Sequence, residues 1–201
     1  MSETYTRKDF VKKYGKDISK AVRGTGILAG TLVSQAIIES QGQASDGSYR
    51  VGQSSLSRKA NNYFGIKCHS NWKGETFNID TGEQNPDGST YVDKNACFRK
   101  YKSVKDSIKD YVKFLKENKR YEQAGVFKAK NVKQQAEALK RGGYATANNY
   151  ADTINKVYLG VKKEVDEYAK PRKVGKIIGF SLLGIAVIGV SIGVYFLIRK
   201  K

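Results

Sequence analysis

The sequence predicts an α+β domain, mostly helical with a small antiparallel β lobe, joined to one C-terminal transmembrane helix. Three observations carry this expectation. Apolar residues recur at helical spacing in several separate segments. Two strand-like runs flank Asn85-Pro-Asp-Gly88, a strong turn signal. Residues 177–198 form a run of 198 − 177 + 1 = 22 positions without a charge, enough to span a bilayer.

In chain order, Thr6 is placed to cap a first helix, in which Phe10, Val11, Tyr14, Ile18, Ala21 and Val22 share one face. Gly24 and Gly26 end it. The stretch Gly26 to Gly42 then carries Ile27, Leu28, Leu32, Val33, Ala36, Ile37 and Ile38 on nearly every side, the pattern of a helix running through a core. Glu39 is its one charged residue, and Gly42 is positioned as its C-terminal cap. Poor solvation and the negative end of the helix dipole both raise the pKa of a carboxyl placed there, as a general acid at neutral pH requires. A glutamate at a fraying helix end with its head in water is the alternative.

Residues 41–62 are polar and rich in Gly and Ser, a loop of the kind that carries function, with a short helix around Ser54 to Ala60. Trp72 to Ile79 and Ser89 to Phe98 are predicted to pair as a hairpin. Cys68 and Cys97 fall near its two ends, within bonding reach, as a disulfide or as two buried thiols. Ser103 starts an amphipathic helix to Glu117, with Asp106 completing a capping-box-like start. Further helices are expected over Asn131 to Arg141 and Asn148 to Tyr168.

Lys+Arg 37 against Asp+Glu 19 gives +18, which implies an anionic partner: nucleic acid, an acidic membrane surface or an anionic wall polymer. No nucleic-acid-binding motif accompanies the charge, so no nucleic-acid partner is expected. One His and two Cys are too few for a structural zinc site without carboxylates, and neither metal nor cofactor is expected.

Six stretches, Ser34-Gln-Ala-Ile-Ile-Glu-Ser40, Asn61-Asn-Tyr-Phe-Gly-Ile-Lys67, Trp72-Lys-Gly74, Thr81-Gly-Glu83, Phe98-Arg-Lys-Tyr101 and Gly143-Tyr-Ala-Thr146, resemble in order and spacing the bacterial N-acetylglucosaminidases of glycoside hydrolase family 73. The resemblance covers roughly residues 6 to 168, and the cysteine positions resemble a Bacteroidetes-type subset. It implies a lysozyme-like fold and cleavage of the β-1,4 bond after N-acetylglucosamine in peptidoglycan. By motif, Glu39 matches the general acid and Glu83 the second carboxylate. Tyr144 matches a tyrosine lining the cleft, and Tyr63 and Phe64 match a substrate-shaping segment. Glycoside hydrolysis uses two such carboxyl groups, held in opposite protonation states. On residue pattern alone Glu83 reads as an ordinary, solvated turn carboxylate, with Asp80 and Glu75 as rivals for the second role. Trp72 reads as packing of the β lobe and His69 as a surface or lobe residue. A lysozyme or lytic transglycosylase on the same fold, and a non-catalytic basic wall-binding scaffold, are the competing readings.

The expected organisation is a catalytic domain over 1–170, a basic linker over 171–176, the membrane helix over 177–198 and a basic tail over 199–201. Gly189 and Gly193 form a Gly-x-x-x-Gly that offers weak helix pairing in the bilayer. No signal peptide is expected at the N-terminus. Lys162, Lys163, Lys170, Arg172, Lys173 and Lys176 outnumber Arg199, Lys200 and Lys201, so the positive-inside rule places the domain on the cytoplasmic side. A wall substrate lies on the other side, so a special route of access is expected.

Overall fold

The computed structural model describes residues 3–69, 72–84 and 89–169, all within one compact unit. Helix α1, Arg7–Val22, starts as the sequence suggests: the Thr6 side chain accepts the Asp9 N–H and satisfies one of the helix's free donors. Its Phe10, Val11 and Ile18 are fully buried. Helix α2, Ala29–Ser40, is the element around which the others pack, with Leu32, Val33, Ala36 and Ile37 out of water on successive faces. It is shorter than Gly26 to Gly42, and Gly42 is not its cap. Gln41, extended at φ −72°, closes the helix by donating its N–H to Ile37 O. Gly42 instead enters a small antiparallel ladder, β1 (Gly42–Gln43) with β2 (Tyr49–Arg50), whose pairing requires extended backbone.

The start of α2 has no side-chain cap of its own. A distant residue supplies it. Gln135, fully buried on helix α6 (Val132–Arg141), accepts the Leu28 N–H at 2.8 Å and donates to Gly26 O at 2.9 Å and Val126 O at 2.8 Å. The amide thus uses both ends, and the segment entering α2 is pinned to the far side of the domain.

Helix α3, Ser55–Ala60, leads to residues 62–69. There buried Asn62 donates to Ile66 O and Arg99 O and accepts the Phe64 and Ile66 N–H groups. The β lobe is one antiparallel hairpin, β3 (Thr76–Gln84) with β4 (Thr90–Arg99). It starts later than Trp72, because residues 72–75 turn back on themselves: Trp72 N–H donates to His69 O, and Trp72 Nε1 to Glu75 O. A register irregularity falls between Ile79 and Thr81, where Asp80 Oδ1 accepts the N–H of Asn95, itself at φ +58°. Such an irregularity bends and re-aims a strand. Cys68 and Cys97 form a disulfide that ties the hairpin to the 62–69 segment.

Helix α4, Val104–Glu117, has the capping-box-like start expected: the Ser103 hydroxyl oxygen accepts the Asp106 N–H, and the hydroxyl donates to Asp106 Oδ2. The short α5, Lys119–Gln123, follows, and α7, Tyr150–Ala169, packs on α1, α2 and α6. Helix α7 begins at Tyr150, two residues later than its sequence pattern suggests. The hairpin is held to the helices by a partly buried ion pair, Arg99 Nη1 to Asp110 Oδ2 at 2.8 Å, joined by the Tyr101 hydroxyl at 2.7 Å. Among the described residues no helix is long and apolar enough to cross a membrane. The predicted span 177–198, with Gly189 and Gly193, lies outside the described residues, as does the turn 85–88.

Candidate active site

Glu39 occupies the last turn of α2 and lines a cleft of about 420 Å³ between the helices and the β lobe. By surface it is half-buried, because it opens onto that cleft, yet its surroundings are mostly protein. Burial pushes its pKa from the ordinary 4.5 up to about 7. No hydrogen bond or ion pair from the described residues offsets that burial, so the carboxyl holds a proton near neutrality and has nothing to share it with.

The residues facing Glu39 come from three separate parts of the chain. Gly65, at φ +62°, passes so close that a Cβ there would lie 3.6 Å from Glu39 Oε2. Phe64 stacks on Tyr111 with centroids 4.2 Å apart, and its carbonyl accepts the Tyr144 hydroxyl at 2.8 Å. Tyr144 meets Tyr111 edge-on at 5.6 Å. Deeper in, Gln35 Nε2 donates to the Tyr150 hydroxyl at 2.8 Å. Burial, and secondarily the Tyr111 and Glu39 charges, push the Tyr144 phenol well above its ordinary value; burial and then Glu39 do the same to Tyr150. Glu39 is therefore backed by neutral, protonated phenols. Lys67 and His69 complete one wall, Arg120 and Tyr121 another.

Of the sequence-predicted residues, the fold brings together Glu39, Phe64 and Tyr144. Tyr63 goes elsewhere: it is buried against Phe10, with rings stacked at 5.7 Å, and does not line the cleft. The two residues lie in the bend that the Asn62 side chain closes, and Phe64 lines the cleft while Tyr63 packs against Phe10 in the core. Glu83 is not in a turn. It is part of β3, paired with Tyr91, immediately after Thr81 and Gly82, which do line the cleft. Asp80 is occupied by the Asn95 N–H, and Glu75, exposed just before β3, by Lys100 at 2.9 Å. Trp72 packs as expected, under the Arg99 guanidinium at 4.7 Å. His69, expected on the surface or in the lobe, lines the cleft and stacks on Phe114. Arg120 and Tyr121 were not singled out in the sequence, because nothing local marks a residue of a short helix as cleft-facing.

A family model described as mannosyl-glycoprotein endo-beta-N-acetylglucosaminidase, the glucosaminidase family, matches residues 15–163. The chain belongs to this family. Curated relatives include the peptidoglycan hydrolase FlgJ of Vibrio cholerae, 33% identical over 165 residues, covering 81% of this chain and 45% of that protein. The exo-glucosaminidase LytG of Bacillus subtilis is 33% identical over 147 residues, covering 71% of this chain and 46% of that protein. The chain thus spans about half the length of the curated relatives it matches. Among solved structures, a peptidoglycan hydrolase mutant from Sphingomonas sp. A1 superposes with a TM-score of 0.63 at 29% identity, covering 80% of this chain and 99% of that one. The glycoside hydrolase domain of Salmonella typhimurium FlgJ, C-terminally truncated, gives 0.55 at 30% identity, over 79% and 99%. The fold is the lysozyme-like one that the motifs imply. The relatives give no support to a Bacteroidetes-type subset.

Proposed function

We propose that this protein is a peptidoglycan hydrolase, an endo-β-N-acetylglucosaminidase cleaving the β-1,4 bond after N-acetylglucosamine. The observation that carries this is Glu39: a carboxyl in a cleft, without a partner among the described residues, with burial holding its pKa at about 7. A protonated carboxyl at that place donates to the glycosidic oxygen as the bond breaks. Tyr144, anchored on Phe64 O, holds the cleft wall opposite the sugar. Glu83 takes the second role, a negative charge near the developing oxocarbenium ion. Its support is the strand position directly after Thr81 and Gly82. The chain is anchored by residues 177–198 and works on the wall side of the membrane. The Cys68–Cys97 bridge supports that side, since disulfides persist in oxidising compartments.

The test is mass spectrometry of muropeptides after digestion by the full chain in detergent, with Glu39→Gln as control. Reducing N-acetylglucosamine ends are expected. Reducing N-acetylmuramic acid ends would make it a lysozyme, and anhydro ends a transglycosylase. Release of single sugars from chain ends would make it an exo-enzyme, and no cleavage a wall-binding scaffold.

A further inference from the structure

A second cavity, of about 270 Å³, adjoins the catalytic cleft and shares His69, Phe114 and Arg120 with it. Arg99, Glu117 and Asn118 complete its lining. Arg99 is 7% exposed; its Nη1 is committed to Asp110, and its guanidinium lies against the Trp72 and Phe114 rings at 4.7 and 5.7 Å. Its Nε, however, is buried with no hydrogen-bond partner. A buried, charged donor left unsatisfied is costly, so the protein groups around the Arg99 guanidinium leave part of its hydrogen-bonding capacity unmet. Arg120, on α5, is exposed and touches Tyr121 through its hydroxyl at 2.7 Å and its ring at 4.7 Å. Among the described residues no carboxylate pairs with it. The one acid in the lining, Glu117, lies 3.7 Å from Lys113 on the same helix.

We propose that this cavity is a subsite for a carboxylate on the muramyl arm of the glycan, next to the sugar being cleaved. The inference rests on the glycosidase reading above. Arg99 and Arg120 both line a pocket that also holds the Phe114 ring, and among the described residues no carboxylate answers the charge of Arg120. An anion answers it better than a neutral carbonyl, because charge-assisted bonds to guanidinium are roughly twice as strong as neutral ones. The carboxylate comes either from the peptide attached to muramic acid or, on stripped strands, from the lactyl group itself.

The experiment compares kcat/KM of the full chain on three glycans: peptide-bearing strands, the same strands with carboxylates converted to carboxamides, and amidase-stripped strands with free lactyl groups. Wild type is expected to cut the carboxamide strands about tenfold less well than the native ones, mainly through KM. In Arg120→Gln that ratio falls towards one, while Arg120→Lys, which keeps the charge, retains part of it. Stripped strands cut like native ones show that the freed lactyl carboxylate serves in place of the peptide's; stripped strands cut like carboxamide ones assign the peptide carboxylate alone. Equal cleavage of native and carboxamide strands, or full discrimination retained in Arg120→Gln, overturns the subsite. Absence of new reducing ends from every glycan overturns the glycosidase reading instead.

Discussion

Replacing Glu39 by Gln is expected to abolish turnover and to stabilise the fold, and the stabilisation has a predictable pH dependence. In the unfolded chain the carboxyl titrates near 4.5; in the fold burial moves it to about 7. Between those values the folded state binds more protons than the unfolded state, so wild-type stability falls as pH rises through the window. Above about 7 the loss is complete. Moving one carboxyl from 4.5 to about 7 corresponds to about 3 kcal/mol of destabilisation from this group alone. Gln does not titrate and escapes it. Whatever the amide costs in unmet hydrogen bonds is the same at every pH, so the pH-dependent part stands alone. Urea unfolding of wild type and Glu39→Gln at pH 4.5, 6 and 8 measures it. The stability difference in favour of the variant should grow from pH 4.5 to pH 8 by about 2–3 kcal/mol. A difference that is constant across that range would falsify the account of Glu39 as a carboxyl kept protonated by burial.

The same titration sets activity: kcat/KM should fall on the alkaline side with an apparent pKa near 7, and a profile flat to pH 9 would remove Glu39 as the acid. Tyr144→Phe loses the hydroxyl bond to Phe64 O and should lower kcat while leaving the melting temperature within a few degrees; unchanged kcat would make Tyr144 packing only. Reduction of Cys68–Cys97, or Cys97→Ser, opens a loop with a sequence separation of 29 and should cost about 3–4 kcal/mol in the chain-entropy model, read as a lower urea midpoint with dithiothreitol. Gly30→Ala puts a Cβ 2.6 Å from the Tyr158 ring and 2.9 Å from Val132, so overpacking of about 1–3 kcal/mol is expected; a variant as stable as wild type would show that α2 and α7 are free to part.

Much of this protein is local, and local features were legible. Apolar spacing placed α1, α4 and α7, and Thr6 and Ser103 marked helix starts because a capping side chain bonds its own backbone three residues on. Glu39 stood out because a lone charge in an all-round apolar helix is visible without a partner. Its pKa follows from burial, which the surrounding apolar residues already announce. Other features depend on what meets what across the chain. Gln135 as the cap of α2 acts over a sequence distance of 107, and no pattern near either residue encodes it. Tyr63 and Phe64 are adjacent in sequence and alike in chemistry, and only the packing of Phe10 on one side and Tyr111 on the other separates core from cleft. The strand irregularity at Asp80 falls just before Thr81 and Gly82, which line the cleft, and it forms only where Asp80 of β3 meets Asn95 of β4 across the hairpin. His69, Arg99 and Arg120 are ordinary surface types by sequence. They share one cavity because the hairpin, its disulfide and the α4–α5 corner converge there, and convergence is a property of the folded chain alone.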